Sequence, residues 1–206
     1  MKRVKQFVLA VAAGILIGVG GTVYLSLPEN PLAGSFLFAI GLLSILNYQL
    51  NLFTGKVGYL PENRPSYLLD LLVIWVGNWV GAFLAGIAVR NTRVLANMSS
   101  LQKVVDTKLN DGLLSIFLLS IFCGLMMFLA VDVFKNTKNQ VMAVAGVILP
   151  VMVFILSGFE HCVANMYYYS LASVWGNTDA WLSLLVMTLG NSLGGMLIPL
   201  MKKIHA

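Results

Sequence analysis

The chain has 206 residues, of which 59% are hydrophobic and only 10% charged, with a mean hydropathy of +0.87. Those proportions exclude an ordinary soluble domain and point to an integral membrane protein. The formal charge of +5 does not argue for nucleic acid, because the lysines and arginines sit in short connections between apolar runs, where they set orientation in a bilayer.

A helix needs about 20 apolar residues to cross a bilayer, and uncharged stretches of that order occur six times, at residues 6–27, 31–55, 71–89, 112–131, 139–159 and 180–201. The first follows a basic start like that of a signal peptide. It outruns a signal's apolar region and ends in no small-residue cleavage pattern, so a retained span is expected. An even number of spans returns both termini to one side. Lys2, Arg3, Lys5, Lys56, Arg64, Lys135, Lys138, Lys202 and Lys203 then share that side, and Arg90, Arg93, Lys103 and Lys108 the other. The excess places both termini in the cytoplasm. Between the third and fourth runs, Val94, Leu95, Met98, Leu101, Val104 and Val105 recur at near-helical spacing. They predict a short helix on the outer surface or against the other spans.

The two halves of the chain echo each other. Gly77-Asn78-Trp79-Val80-Gly81 is matched by Gly190-Asn191-Ser192-Leu193-Gly194, and an interruption precedes each. In the first half it is Asn51-Leu52-Phe53-Thr54-Gly55, and in the second Ser157-Gly158-Phe159-Glu160-His161. A repeat unit of three spans must re-enter the membrane from the opposite side, which makes the repeat inverted. Matching breaks in inverted repeats mark a solute site near the midplane. The expected fold class is therefore an all-α membrane protein in one domain, residues 1–206. Its six transmembrane helices form a 3+3 inverted repeat with broken second and fifth helices, residues 1–91 and 111–206 joined by a surface segment at 92–110.

The second break carries the ionisable groups. His161 in a soluble core would usually be a satisfied packing residue, bonded to Glu160 or a carbonyl; in an apolar membrane segment beside a break it points to a solute pathway. Glu160 reads as a structural acceptor for backbone groups freed by the break or for the repeated asparagines. Thr54 is a helix-end residue or, if the repeat is real, a hydroxyl opposite His161 that orients the imidazole or bonds a solute. Asn78 and Asn191 read as glue between helices that adjacent glycines let approach closely. Lys5 and Lys108 are either solvated loop charges or attractive charges at opposite vestibules. Phe38, Leu42, Leu52, Phe53 and Phe154 are apolar side chains facing lipid or core. Met126, Met127 and Tyr167 to Tyr169 read as packing and interface residues. Cys123 and Cys162 lie in apolar runs without ligand spacing and are expected as reduced, packed thiols. No metal is expected, since His205 lies in the tail and no second ligand accompanies His161; nor is a cofactor.

The run SGFEHCVANMYYYSLA, together with NLFTG, GNWVG and GNSLGG at these relative positions, resembles the formate/nitrite transporter family of bacterial anion channels from Lys5 to Met201. The resemblance implies an aquaporin-like protomer of six helices with its own pore, a homopentamer and a bacterial cytoplasmic membrane. It implies that His161 is the central pore histidine, Thr54 the threonine facing it and Asn165 the asparagine after it. Phe38, Leu42, Leu52, Phe53 and Phe154 match the apolar constrictions, Lys108 the outer vestibule lysine and Lys5 the inner one. Three positions depart from the family pattern: Gly124 stands where several members have Asn, Ser115 where some have Glu, and Ala143 where a lysine often opens the fifth span.

An anion entering a dry constriction loses hydration worth tens of kcal/mol on an ideal Born estimate. Protonating a weak acid away from its pKa costs about 1.4 kcal/mol per pH unit. The expected mechanism is therefore passage of a small monovalent anion as, or nearly as, its neutral acid, with His161 sharing a proton. The rival is a neutral-solute pore of the water or glycerol kind. An enzyme is not expected, because Cys162 is the only candidate nucleophile and no catalytic constellation surrounds it.

Overall fold

The structure, a computed structural model, describes residues 1–204, so the reading of His205 lies outside the described residues. Among these there is no strand. Nine helices follow in order: α1 (Lys2–Leu25), α2 (Pro31–Asn47), α3 (Phe53–Val57), α4 (Tyr67–Arg90), α5 (Leu101–Leu109), α6 (Leu113–Asn136), α7 (Gln140–Leu156), α8 (Cys162–Ala172) and α9 (Thr178–Ile204). Short 3₁₀ turns at Leu60–Glu62 and Arg93–Asn97 complete the connections.

Four helices, α1, α4, α6 and α9, are long and apolar enough to cross a membrane, while α2 and α7 are apolar helices of 17 residues each. The second and fifth apolar runs thus divide in the same way. Each is opened by an asparagine cap: Asn30 Oδ1 accepts from Ala33 N–H at 3.0 Å, and Asn139 Oδ1 from Met142 N–H at 3.1 Å, satisfying donors a helix start leaves free. Each helix then stops at a left-handed residue, Gln49 (φ 53°) or Gly158 (φ 69°). The next amide closes back onto the last turn, Leu50 N–H to Ile45 O at 2.8 Å and Phe159 N–H to Phe154 O at 2.9 Å, the pattern of a Schellman stop. The chain turns at residues 48–52 and 157–161 and then starts the buried helices α3 and α8.

A β-carbon at Gly158 would meet nothing within 4 Å. Gly158→Ala is therefore expected to cost only the left-handed backbone, about 1–2 kcal/mol. Thermal unfolding of the purified protein measures it, and an unchanged melting temperature would show that this stop is not strained by a side chain.

The long helices pair as α1 with α4 and α6 with α9. A β-carbon on Gly14 would fall on the carbonyl oxygen of Asn78, and one on Gly124 on that of Asn191. These pairs touch backbone to backbone, which only glycine allows. Gly124 is thereby explained: an asparagine at that position has no room against α9. Of the other departures, Ser115 Oγ donates to Asp111 Oδ2 at 2.8 Å at the start of α6, and Ala143 lies half-buried in the first turn of α7.

Two faces follow from the end contacts. Lys2 and Arg3 meet Asp70 at the start of α4, Lys203 reaches the Pro61 carbonyl, and Lys202 lies 3.8 Å from Asp132 near the end of α6. This N-terminal face also carries the turn at 48–52. The opposite face carries α5, whose Leu101 and Val105 are buried against the helices beneath. Cys123 and Cys162 are buried free thiols.

Candidate pore site

The two repeated asparagines do more than join helices. Asn78 accepts from Phe53 N–H through Oδ1 at 2.8 Å and donates through Nδ2 to the carbonyls of Asn51 and Ala10, both at 2.8 Å. Asn191 accepts from Cys162 N–H at 2.9 Å and donates to the carbonyls of Glu160 and Ser120 at 2.7 and 2.8 Å. Each fully buried amide therefore grips the backbone on both sides of one residue, Leu52 in the first half and His161 in the second, while tying it to α1 or α6. The residues gripped at these turns are buried, and the backbone groups bonded there belong to no helical or strand ladder, so a long-range side chain supplies the bonds they need.

Held in this way, His161 begins α8 and caps it. Its Nδ1 accepts from Ala164 N–H at 3.0 Å, so the neutral ring carries its proton on Nε2. Nε2–H then donates to Thr54 Oγ1 across a 2.9 Å separation. The Thr54 hydroxyl proton is left for another acceptor. The pair is buried, His161 at 2% and Thr54 at 1% exposure. The Phe154 ring stacks on the imidazole at 5.6 Å between centroids, and Phe38 meets Phe154 edge-on at 5.9 Å.

Two cavities approach this pair. On the face carrying α5, one of about 200 Å³ is walled by Phe154, Glu160, His161, Asn165 and Tyr168 together with Val104, Thr107 and Lys108 of α5. On the N-terminal face, one of about 480 Å³ is walled by Leu42, Leu52 and Gly55, with Gln49, Lys56 and Lys135. Of the five expected constriction residues, Leu42 and Leu52 line the second cavity and Phe154 the first. Phe38 is buried behind Phe154, and Phe53 is buried in the core cluster and lines neither cavity.

The charged residues depart from the sequence reading. Lys108 does reach the cavity, but with its counter-charge: Nζ lies 2.6 Å from Glu160 Oε2, with the two side chains only 13% and 7% exposed. It is not a free vestibule charge. Glu160 does not serve the broken backbone or the repeated asparagines with its carboxylate, which takes Lys108 and Asn165 Nδ2, the latter at 2.8 Å; only its carbonyl meets Asn191. Nor does that carboxylate bond His161, because the ring's two nitrogens are occupied by Ala164 and Thr54. Asn165 also donates to the His161 carbonyl at 3.0 Å, and its buried Oδ1, beside the cavity, has no hydrogen-bond partner among the described residues. Lys5 lies exposed on the first turn of α1 and lines neither cavity.

The N-terminal cavity holds instead two lysines that read in the sequence as connection charges. Lys135 Nζ sits 4.1 Å from the centre of the Tyr59 ring, a cation–π contact. Burial, and then the neighbouring Asp132 carboxylate, push the Tyr59 phenol up from its ordinary value. The position of Lys56, directly after Thr54-Gly55, was the available signal: a charge inside a segment that enters the membrane. Among the described residues no three His, Cys, Asp or Glu side chains converge as a metal ligand set.

A profile described as Formate/nitrite transporter matches residues 1–202. The chain belongs to the formate/nitrite transporter family. This is a family of multi-pass membrane transporters and not of enzymes. The formate channel FocB of Escherichia coli is 25% identical over 189 residues, covering 82% of this chain and 67% of that one. A formate-nitrite transporter of Plasmodium knowlesi is 26% identical over 226 residues, covering 92% and 72%. The chain spans less than half, 45%, of formate-nitrite transporter 3 of Toxoplasma gondii, at 27% identity. Among solved structures, a pentameric formate channel with formate bound superposes with a TM-score of 0.81 at 25% identity, covering 99% of this chain and 97% of that one. An FNT family ion channel gives 0.84 at 22% identity, covering 98% and 90%, a likeness of fold.

Proposed function

We propose that this member of the formate/nitrite transporter family is a channel for small monovalent anions of weak acids, such as formate, nitrite or hydrosulfide. In this reading it works in a bacterial cytoplasmic membrane as a homopentamer, with both termini cytoplasmic and a pore in each protomer. Residues 1–91 and 111–206 are the halves of a 3+3 inverted repeat, aquaporin-like, in which α2 with α3 and α7 with α8 act as the broken second and fifth spans. The observation that carries the proposal is the Thr54–His161 hydrogen bond, buried between cavities that approach it from opposite faces.

The geometry refines the expected chemistry. A ring protonated on both nitrogens would lose the Ala164 bond that caps α8, so His161 works as a neutral donor. Its Nε2–H polarises Thr54, and the spare Thr54 hydroxyl proton bonds the solute, sharing a proton with an anion that crosses nearly as its acid. The apolar side chains of Phe38, Leu42, Leu52 and Phe154 keep water out of that step, which makes a bare charge costly there.

Formate flux into proteoliposomes, followed against pH, tests the proposal. Flux is expected to rise as pH falls toward the acid's pKa, because the neutral fraction rises. His161→Phe is expected to lower it about tenfold or more, the equivalent of losing about 1.4 kcal/mol at the barrier. Wild-type flux retained in that variant with the same pH profile would refute the role of the pair. Osmotic swelling by uncharged solutes without anion flux would make the protein a neutral-solute pore.

A further inference from the structure

The two cavities differ in charge. On the α5 face the only lysine in the wall among the described residues, Lys108, is neutralised by Glu160 at 2.6 Å. On the N-terminal face Lys56 and Lys135 both line the larger cavity, close enough for their charges to act on each other. Among the described residues neither lies within salt-bridge distance of a carboxylate. Asp132 and Glu62 are near enough to act on Lys135, but neither lines the cavity. Asp132 is engaged by Asn136 at 2.9 Å, by the Tyr59 hydroxyl at 3.4 Å and by Lys202 at 3.8 Å.

Two like charges sharing one wall are unfavourable unless an anion joins them, and two ammonium groups are best balanced by two negative charges. The space, about 480 Å³, is far larger than a formate ion and admits a tetrahedral oxyanion with its water. Beyond it lie Leu42 and Leu52, and a dianion that accepts one proton there still carries a full charge into an apolar constriction.

We propose that the cavity on the N-terminal face is a binding site for small divalent oxyanions, of the sulfate or hydrogenphosphate kind, held between Lys56 and Lys135, and that such an ion blocks the channel because it cannot follow a monovalent acid through. The blocking part rests on the channel reading above; the binding part does not. The site makes block one-sided: a dianion acts from the N-terminal face and is without effect from the face carrying α5.

Sulfate, divalent across the working pH range, is the probe. Sodium sulfate titrated calorimetrically into the protein in nanodiscs is expected to bind, about tenfold more weakly in Lys56→Gln and in Lys135→Gln, the loss of one charge-assisted contact. Binding is expected to persist in the arginine replacements and in His161→Phe. In proteoliposomes of one orientation, sulfate on the N-terminal face is expected to lower formate flux several-fold and sulfate on the other face to leave it unchanged. If Lys56→Gln does not assemble, Lys135→Gln decides, because that residue is exposed and its change gives up the contact with the Tyr59 ring. Unaltered sulfate affinity in the variants, absent binding in the wild type, or equal block from both faces would overturn the proposal. Absent formate flux with sulfate binding intact would instead defeat the channel reading alone.

Discussion

Asn191→Leu is expected to lose assembly of the second break and, with it, formate flux. The substitution removes an amide that makes three hydrogen bonds to buried backbone groups, the Cys162 N–H and the carbonyls of Glu160 and Ser120. Each group left without a partner costs roughly 1–3 kcal/mol, which totals several kcal/mol, although polar contacts between membrane helices fall toward the lower end of that range. The same side chain holds the residues on both sides of His161, so loss of stability and loss of the Thr54 contact go together. Asn78→Leu is expected to act equally on the Leu52 side through Phe53, Asn51 and Ala10. Size-exclusion profiles, melting temperatures and flux measure the outcome. A variant that assembles and melts like the wild type would show that these amides do not hold the breaks.

Glu160→Gln is expected to destabilise more than the double change Lys108→Met with Glu160→Gln. Both charged side chains are largely removed from water, and deleting one member of a buried pair leaves the other charge uncompensated, at a cost of about 3–5 kcal/mol. Removing both charges takes away the attraction and the desolvation penalty together. Melting temperatures of the two single variants and the double one form the cycle that decides it. Additive effects would mean that the ammonium of Lys108 has water or another partner available, and that it is after all a free vestibule charge.

The course of the chain was legible because a bilayer reads local properties. Apolar length alone marks α1, α4, α6 and α9, and glycine with asparagine marks where helices touch. The interruption after Leu156 and the histidine beside it stand out because an ionisable group among apolar residues needs a reason. The division of the second and fifth runs into a helix, a turn and a second helix depends on Gln49 and Gly158, and glutamine carries no local sign of a left-handed turn.

What the sequence by itself determined is therefore the set of apolar helices, the positions of the two interruptions and the identity of the polar residues beside them. All of these follow from composition and spacing along the chain. Only the tertiary structure decided which of those polar residues answer each other. The matched breaks and the family resemblance already set Thr54 opposite His161, 107 positions away, but nothing along the chain pairs Lys108 with Glu160, 52 positions apart, or sets Asn191 on the Glu160 carbonyl. Whether a lysine has a carboxylate against it, as Lys108 does, or none within salt-bridge distance among the described residues, as at the wall shared by Lys56 and Lys135, depends on what lies within a few ångströms in space, because the electrostatic cost of a charge in a dry interior is set by its nearest partner.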